Sequence, residues 1–218
     1  LQELTEVLEA HFSKKVVVLI DKYDVPLAKA YENGYYDKMV LLIRNLFGNV
    51  LKTNDSLAFA VLTGCLRIAK ESIFTGLNNF TVYSITDEEF DETFGFTDRE
   101  VQKMLAYYGL DSHFEEVKAW YDGYRFGTAD VYCPWDVVYY CKDHQNNPNA
   151  EIKNYWINTS GNEFIQHFVD SMNDPHMLTK SELELLVSGD TVVKQVDEMI
   201  TYKELYSNID NMWSTLFM

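Results

Sequence analysis

The chain has 218 residues and a mass of 25.4 kDa, enough to bury a substantial core in one large domain or in two smaller ones. Its 34 acidic against 18 basic residues give a formal charge of −16, which argues against sequence-independent binding to nucleic acid or to an anionic membrane, since both depend on basic patches. Cys65, Cys133 and Cys141 follow no disulfide-framework spacing, and no stretch reads as a signal peptide or a membrane span, so the expected location is a reducing cytoplasm.

Leu4, Val7, Leu8 and His11 recur at helical spacing and predict a first helix. It leads into Val16-Val17-Val18-Leu19-Ile20, five apolar residues that end abruptly in Asp21, with Asp24 three positions on. A buried parallel strand has this form when it delivers a carboxylate to the C-terminal edge of a sheet, where open α/β folds bind their ligands. After Pro26 and a turn at Asn33-Gly34, the residues Met39, Leu42, Ile43, Leu46, Phe47 and Val50 mark one face of a long amphipathic helix that ends near Asn54. Leu57 to Leu62 is a second continuous apolar run and ends in Thr63-Gly64. The β-α-β order makes the two strands parallel through a right-handed crossover, with Asp21 and Thr63 on one edge. Residues 81–85 read as a third short strand.

From Thr86 the pattern changes to short helices, with capping-box pairs Thr86/Glu89, Thr97/Glu100 and Ser112/Glu115. Gly109 and Gly123 are natural helix stops. The domain boundary is therefore placed after residue 85. The segment from Trp120 to Gly127 reads as a glycine-rich turn between two helices, and Pro134 suits the first turn of the next. Further helices are expected around 163–171 and 181–187. A zinc site from Cys133, Cys141 and His144 would lack the paired clusters that structural sites recruit, so these thiols are expected to be buried among aromatic side chains.

Three stretches resemble one bacterial family. They are Val-Val-Leu-Ile-Asp-x-Tyr-Asp-Val-Pro-Leu at 17–27, Leu-Thr-Gly-x-Leu-Arg-Ile-x-Lys-Glu-Ser-Ile-Phe-x-Gly-Leu-Asn-Asn at 62–79, and Trp-Tyr-Asp-Gly-Tyr-Arg-Phe-Gly at 120–127. Together and in this order they resemble the AAA-ATPase-like proteins, P-loop ATPases often fused to a restriction-nuclease-like domain. The resemblance implies an α/β fold in which part of a parallel P-loop-type sheet, residues 1–85, is followed by a mainly helical lid or winged-helix-like region, 86–218. It also implies an internal piece of a longer protein, from Walker B through the lid, with a P-loop upstream. Asp21 then corresponds to the Walker B magnesium acid and Asp24 to a second acid beside it, able to hold metal or to position water. Thr63 corresponds to the sensor-1 residue, while Arg67 and Lys70 are placed to reach phosphate oxygens. Arg125 is a candidate nucleotide contact at the start of the lid, against a structural role in the turn. The implied cofactors are Mg2+ and ATP, bound by the intact protein and weakly or not at all by these residues alone. Direct nucleic-acid binding and membrane association are not expected; self-association and an unidentified protein partner are left open.

Lys22 departs from the family pattern, because the position after the magnesium aspartate usually holds a water-activating glutamate. An ammonium with an ordinary pKa of about 10.4 is no general base at neutral pH. Two functions compete: an ATPase whose hydrolysis is impaired by Lys22, and a non-catalytic interaction module regulated by nucleotide. A hydrolase using Asp21 and Asp24 as paired acids ranks behind both, since two carboxylates flanking a glycosidic bond would need a spacing of about 5 to 9 Å and no second pair supports them.

Overall fold

A computed structural model of the protein describes residues 1–65, 79–147, 149–157, 180–205 and 207–218. In chain order the elements are α1 (Gln2–Phe12), β1 (Val16–Ile20), α2 (Val25–Glu32), α3 (Tyr36–Leu51), β2 (Leu57–Leu62), α4 (Asp98–Tyr108), a 3-10 turn (Asp111–His113), α5 (Phe114–Tyr121), β3 (Asp122–Phe126), β4 (Ala129–Tyr132), α6 (Pro134–Asn146), α7 (Lys180–Val187) and α8 (Ile209–Phe217). This is a mixed α/β architecture, a small parallel sheet followed by a largely helical region. The chain divides into two compact units. One combines the described residues of Leu1–Val82 and Phe168–Met218, and the other is Tyr83–His167. The region from 86 onward is thus shared between both units. Among the described residues no helix is long and apolar enough to cross a membrane.

In the first unit β1 and β2 pair in parallel, with Val17 opposite Phe59, Leu19 opposite Val61 and Ile20 opposite Leu62. The helices α2 and α3 fill the crossover. α2 starts at the Asp24-Val25-Pro26 step, where proline costs nothing because the first helical N–H groups have no partner in the helix. The sequence pattern names no element between Pro26 and the turn at Asn33-Gly34. α3 buries Tyr36, Val40, Ile43, Phe47, Val50 and Leu51, whereas Leu42 and Leu46 are exposed. Its apolar arc is wider than its contact, so the buried stripe lies rotated from the predicted face. The exit from α3 is fixed by Asn54. Its amide donates to Thr5 Oγ1 (3.0 Å) and to the Val50 carbonyl (3.0 Å), and its Oδ1 accepts from Ser56 N–H (3.2 Å).

Parallel strands are ordinarily covered on both faces. Here Val17, Leu19, Phe59 and Val61, which share one face by register, are all exposed. From the C-terminal segment, Ile200, Tyr202, Leu205, Met212 and Trp213 are buried. The Tyr202 ring meets Tyr36 edge-on at 6.1 Å, and Lys203 pairs with Asp37 at 2.7 Å.

The second unit is built on a core of Val101, Leu105, Leu110, Val117, Tyr121, Tyr132, Val137, Tyr140 and Cys141. α4 carries the predicted Thr97/Glu100 capping box and stops at Gly109, φ 72°. The pairs Thr86/Glu89 and Ser112/Glu115 cap no helix: residue 86 lies in a turn, and α5 begins at Phe114 after His113. Residues 81–85 form no strand. Their backbone is drawn into other bonds instead, locally from Ser84 N–H to Asp87 Oδ2 (2.7 Å) and at long range from Gly127 N–H to the Ile85 carbonyl (2.7 Å).

The segment expected as a turn between helices is the antiparallel hairpin β3-β4, with Phe126 opposite Ala129. Gly127 turns it at φ 49°, and a Cβ there would lie 2.4 Å from the Asp87 carbonyl oxygen. Thr128 donates from its N–H and its hydroxyl to Asp91 Oδ2, each at 3.1 Å. α6 starts at Pro134, as expected. Cys141 is buried in the aromatic core and Cys133 is half-buried. The helix expected over 163–171 lies outside the described residues.

Candidate functional site

The C-terminal edge of the parallel pair collects the residues that the sequence singles out. Because β1 and β2 run the same way, Asp21 and Thr63 leave the sheet side by side. Thr63 Oγ1 donates to Asp21 Oδ1 at 2.5 Å, and it accepts from Lys22 N–H at 3.4 Å. A hydroxyl has one proton and two lone pairs, so it can serve both partners at once. The backbone repeats the link, with Thr63 N–H donating to the Ile20 carbonyl (2.9 Å) and Tyr23 N–H to the Thr63 carbonyl (3.0 Å). Two strand ends are thereby held in fixed register beyond the last ladder pair.

Lys22 lies in the left-handed region at φ 54°. A side chain with a Cβ adopts that conformation at a cost of about 1 to 2 kcal/mol, here offset by the bond from Lys22 N–H to Thr63. The turn sends Asp21 outward and Asp24 inward. Asp21 is exposed, with Oδ1 accepting from the Thr63 hydroxyl. Asp24 is only 3% exposed. Its Oδ2 accepts from Cys65 N–H at 3.0 Å and from Tyr202 Oη at 3.5 Å, and its carbonyl starts α2 by accepting from Leu27 and Ala28 N–H at 2.9 and 3.0 Å. Burial and the adjacent Asp24 carboxylate push the Tyr202 hydroxyl well above its ordinary pKa, so it stays a donor.

Gly64 makes this packing possible. A Cβ on it would lie 2.7 Å from Tyr23 Cε1 and 2.9 Å from Asp24 Oδ1. Neither Gly64 nor Tyr202 was singled out from sequence. The first has a legible signal, a glycine directly after the strand-ending threonine. The second has none, because it lies 178 residues from Asp24.

Arg67 and Lys70 lie outside the described residues. Arg125 belongs to the second unit, on the exposed hairpin, where it pairs across the strands with Asp130 at 2.7 Å.

The exposed Asp21 carboxylate, braced by a hydroxyl at a sheet edge, is a donor set that suits a hydrated hard cation such as Mg2+, which keeps several of its waters and takes few protein oxygens. Asp24 is engaged by the fold on the inner side of the same turn.

Residues 1–74 match the family model described as "Predicted AAA-ATPase". Over 202 residues the chain is 28% identical to an uncharacterized protein in the vnfD 5' region of Azotobacter chroococcum mcd 1, a match that covers 88% of this chain and 35% of that protein. The chain thus spans about a third of the length of that curated relative. No solved structure matches it. The segment that holds β1, α2, α3, β2 and the Asp21 to Thr63 contact is therefore the part similar to the predicted AAA-ATPases.

Proposed function

We propose that residues 1–85 form the Walker B and sensor-1 edge of an AAA-like P-loop ATPase core that binds Mg-ATP in the intact protein. The observation that carries this reading is the Thr63 Oγ1 to Asp21 Oδ1 hydrogen bond at the C-terminal edge of two parallel strands, within the segment similar to predicted AAA-ATPases. Asp21 is assigned to Mg2+ through the ion's water shell, and Mg2+ would neutralise charge on the phosphates. Thr63 holds the Asp21 carboxylate in place and presents its oxygen where an attacking water or a γ-phosphate would sit. Arg67 is retained as a candidate phosphate contact. Asp24 is assigned chiefly to positioning, since its carboxylate braces Cys65 and Tyr202; a part in water activation rests on its nearness to Asp21. The Arg125 to Asp130 pair supports a structural part for Arg125.

The phosphate cradle that the resemblance implies, Gly-x-x-x-x-Gly-Lys-Ser/Thr, does not occur in these 218 residues. Calorimetry on this chain with Mg-ATP is expected to show no binding tighter than about 10 μM, roughly 7 kcal/mol of affinity. In the intact protein, Asp21→Ala is expected to abolish magnesium-dependent binding or turnover. Lys22→Glu restores the acid beside the magnesium aspartate and is expected to raise turnover by about 10²- to 10⁴-fold if the missing base limits the rate. An intact protein that binds no Mg-ATP would end the reading.

The second reading, a nucleotide-regulated interaction module without hydrolysis, is favoured by Lys22 itself. It predicts Mg-ATP binding that Asp21→Ala removes, with no turnover in either the parent or Lys22→Glu.

A further inference from the structure

The second unit brings together a set of metal-ligating side chains that the AAA-like reading does not use. His113 ends the 3-10 turn before α5, Glu116 lies one turn later on α5, and His144 lies in the last turn of α6. One ligand atom from each falls within 4.8 Å of the other two. The set differs from the Cys133, Cys141 and His144 grouping considered from sequence, and shares only His144 with it. Two imidazoles and one carboxylate are the donors preferred by borderline divalent ions such as Zn2+ and Co2+.

The hydrogen-bond pattern shows which contacts an ion would replace. Tyr140 Oη donates its one proton to Glu116 Oε2 at 2.6 Å. Its contact with His113 Nδ1 at 2.7 Å therefore takes a proton from the ring. The ring nitrogen that faces Glu116 is this same Nδ1, 3.6 Å from Oε2, so an ion bound there takes the place of the Nδ1 proton. His144 is 2% exposed, with Nδ1 at 2.9 Å from the Tyr140 carbonyl and Nε2 at 3.1 Å from the Ala150 carbonyl. Carbonyls only accept, so a neutral ring satisfies one of them and turns a lone pair toward the other. That mismatch, in a buried ring stacked on Tyr140 at 3.7 Å, is removed if a cation takes the place of the carbonyl that faces the lone pair.

We propose that His113, Glu116 and His144 form a binding site for a divalent transition-metal ion of the zinc class, joining the start of α5 to the end of α6. Tetrahedral zinc wants its ligand atoms about 3.4 Å apart, so closure requires side-chain shifts on the order of 1 Å. His113 and Glu116 have the room, because their side chains are 23% and 48% exposed, which also gives the ion a way in. A fourth position is filled by water or by the Tyr140 oxygen. The site stands apart from the sheet-edge reading and does not depend on it.

The test uses the 218-residue chain, stripped with chelator and titrated with Co2+, followed by visible absorption, and with Zn2+ in competition with a chromophoric chelator. One ion per chain is expected, with the d–d bands of a low-coordinate site. Glu116→Gln keeps an oxygen for Tyr140 to donate to and removes the charge. It should weaken binding roughly tenfold or more, as should His113→Ala. Cys133→Ser and His11→Ala should leave affinity unchanged. Absence of binding would overturn the site, as would affinity that Glu116→Gln and His113→Ala leave untouched or that Cys133→Ser abolishes.

Discussion

The turn after β1 depends on two residues in opposite ways. Lys22 stands in left-handed backbone at φ 54° without being glycine, and Gly64 is a glycine because Tyr23 and Asp24 leave no space for a Cβ. Lys22→Gly should remove the left-handed penalty, raising stability by up to about 1 kcal/mol after the greater freedom of glycine in the unfolded chain is subtracted. Gly64→Ala should cost about 1 to 3 kcal/mol, since the added methyl must displace a tyrosine ring and a buried carboxylate. Urea unfolding of the two variants checks both signs. A neutral Gly64→Ala would mean that the loop after β2 relaxes away from Asp24.

At the scale of elements, the parallel pair was the most legible feature, because its two apolar runs are continuous and each ends in one polar residue. Two other elements were not legible for identifiable reasons. α2 has a proline in its first turn and is eight residues long, so its periodicity is too short to outweigh the turn signal at Asn33-Gly34. The hairpin carries Gly123 inside β3, and the turn at Gly127 is secured by the Ile85 carbonyl and Asp91, which local sequence does not announce. Of the site, Asp21 and Thr63 could be read directly, whereas the partners of Asp24 required the folded chain.

Long-range polar links of the same kind organise the second unit. Asp98 at the head of α4 receives Lys118 at 2.7 Å and the Tyr132 hydroxyl at 2.5 Å. Partial burial pushes the Asp98 carboxyl up, but the Lys118 ammonium and the Tyr132 hydroxyl outweigh it and hold the carboxyl below its ordinary value. A carboxyl depressed on folding gives its full stabilisation above the unfolded value near 3.9 and loses it as pH falls through the lower folded value. The second unit should therefore weaken below about pH 4, by less than about 1 kcal/mol for this pair because both side chains are well exposed. Asp98→Asn should flatten that part of the curve in urea midpoints measured across the acid range. An unchanged acid limb would assign the loss to other carboxylates.

At the scale of the whole molecule, the chain closes its first unit with residues from both of its ends. Tyr202 donates to the Asp24 carbonyl at 3.4 Å, and Tyr36 and Lys203 strengthen the same junction. The second unit has its own core, nine residues among those described, and its own capped helix. Substitutions should therefore sort by unit. Tyr202→Phe removes the donor facing a buried carboxylate and should cost about 1 to 2 kcal/mol in the first unit. Thr97→Ala removes the α4 cap and should cost about 1 kcal/mol in the second. The tryptophans give separate readouts, since Trp213 lies in the first unit and Trp120, Trp135 and Trp156 lie in the second. In thermal or urea unfolding followed with Trp213→Phe as the reference background, fluorescence reports the second unit alone, while far-ultraviolet circular dichroism reports both. Tyr202→Phe is expected to move the dichroism transition and leave the fluorescence transition in place, and Thr97→Ala to move both signals. A fluorescence transition that shifts equally with either substitution would show that the two cores unfold as one cooperative body.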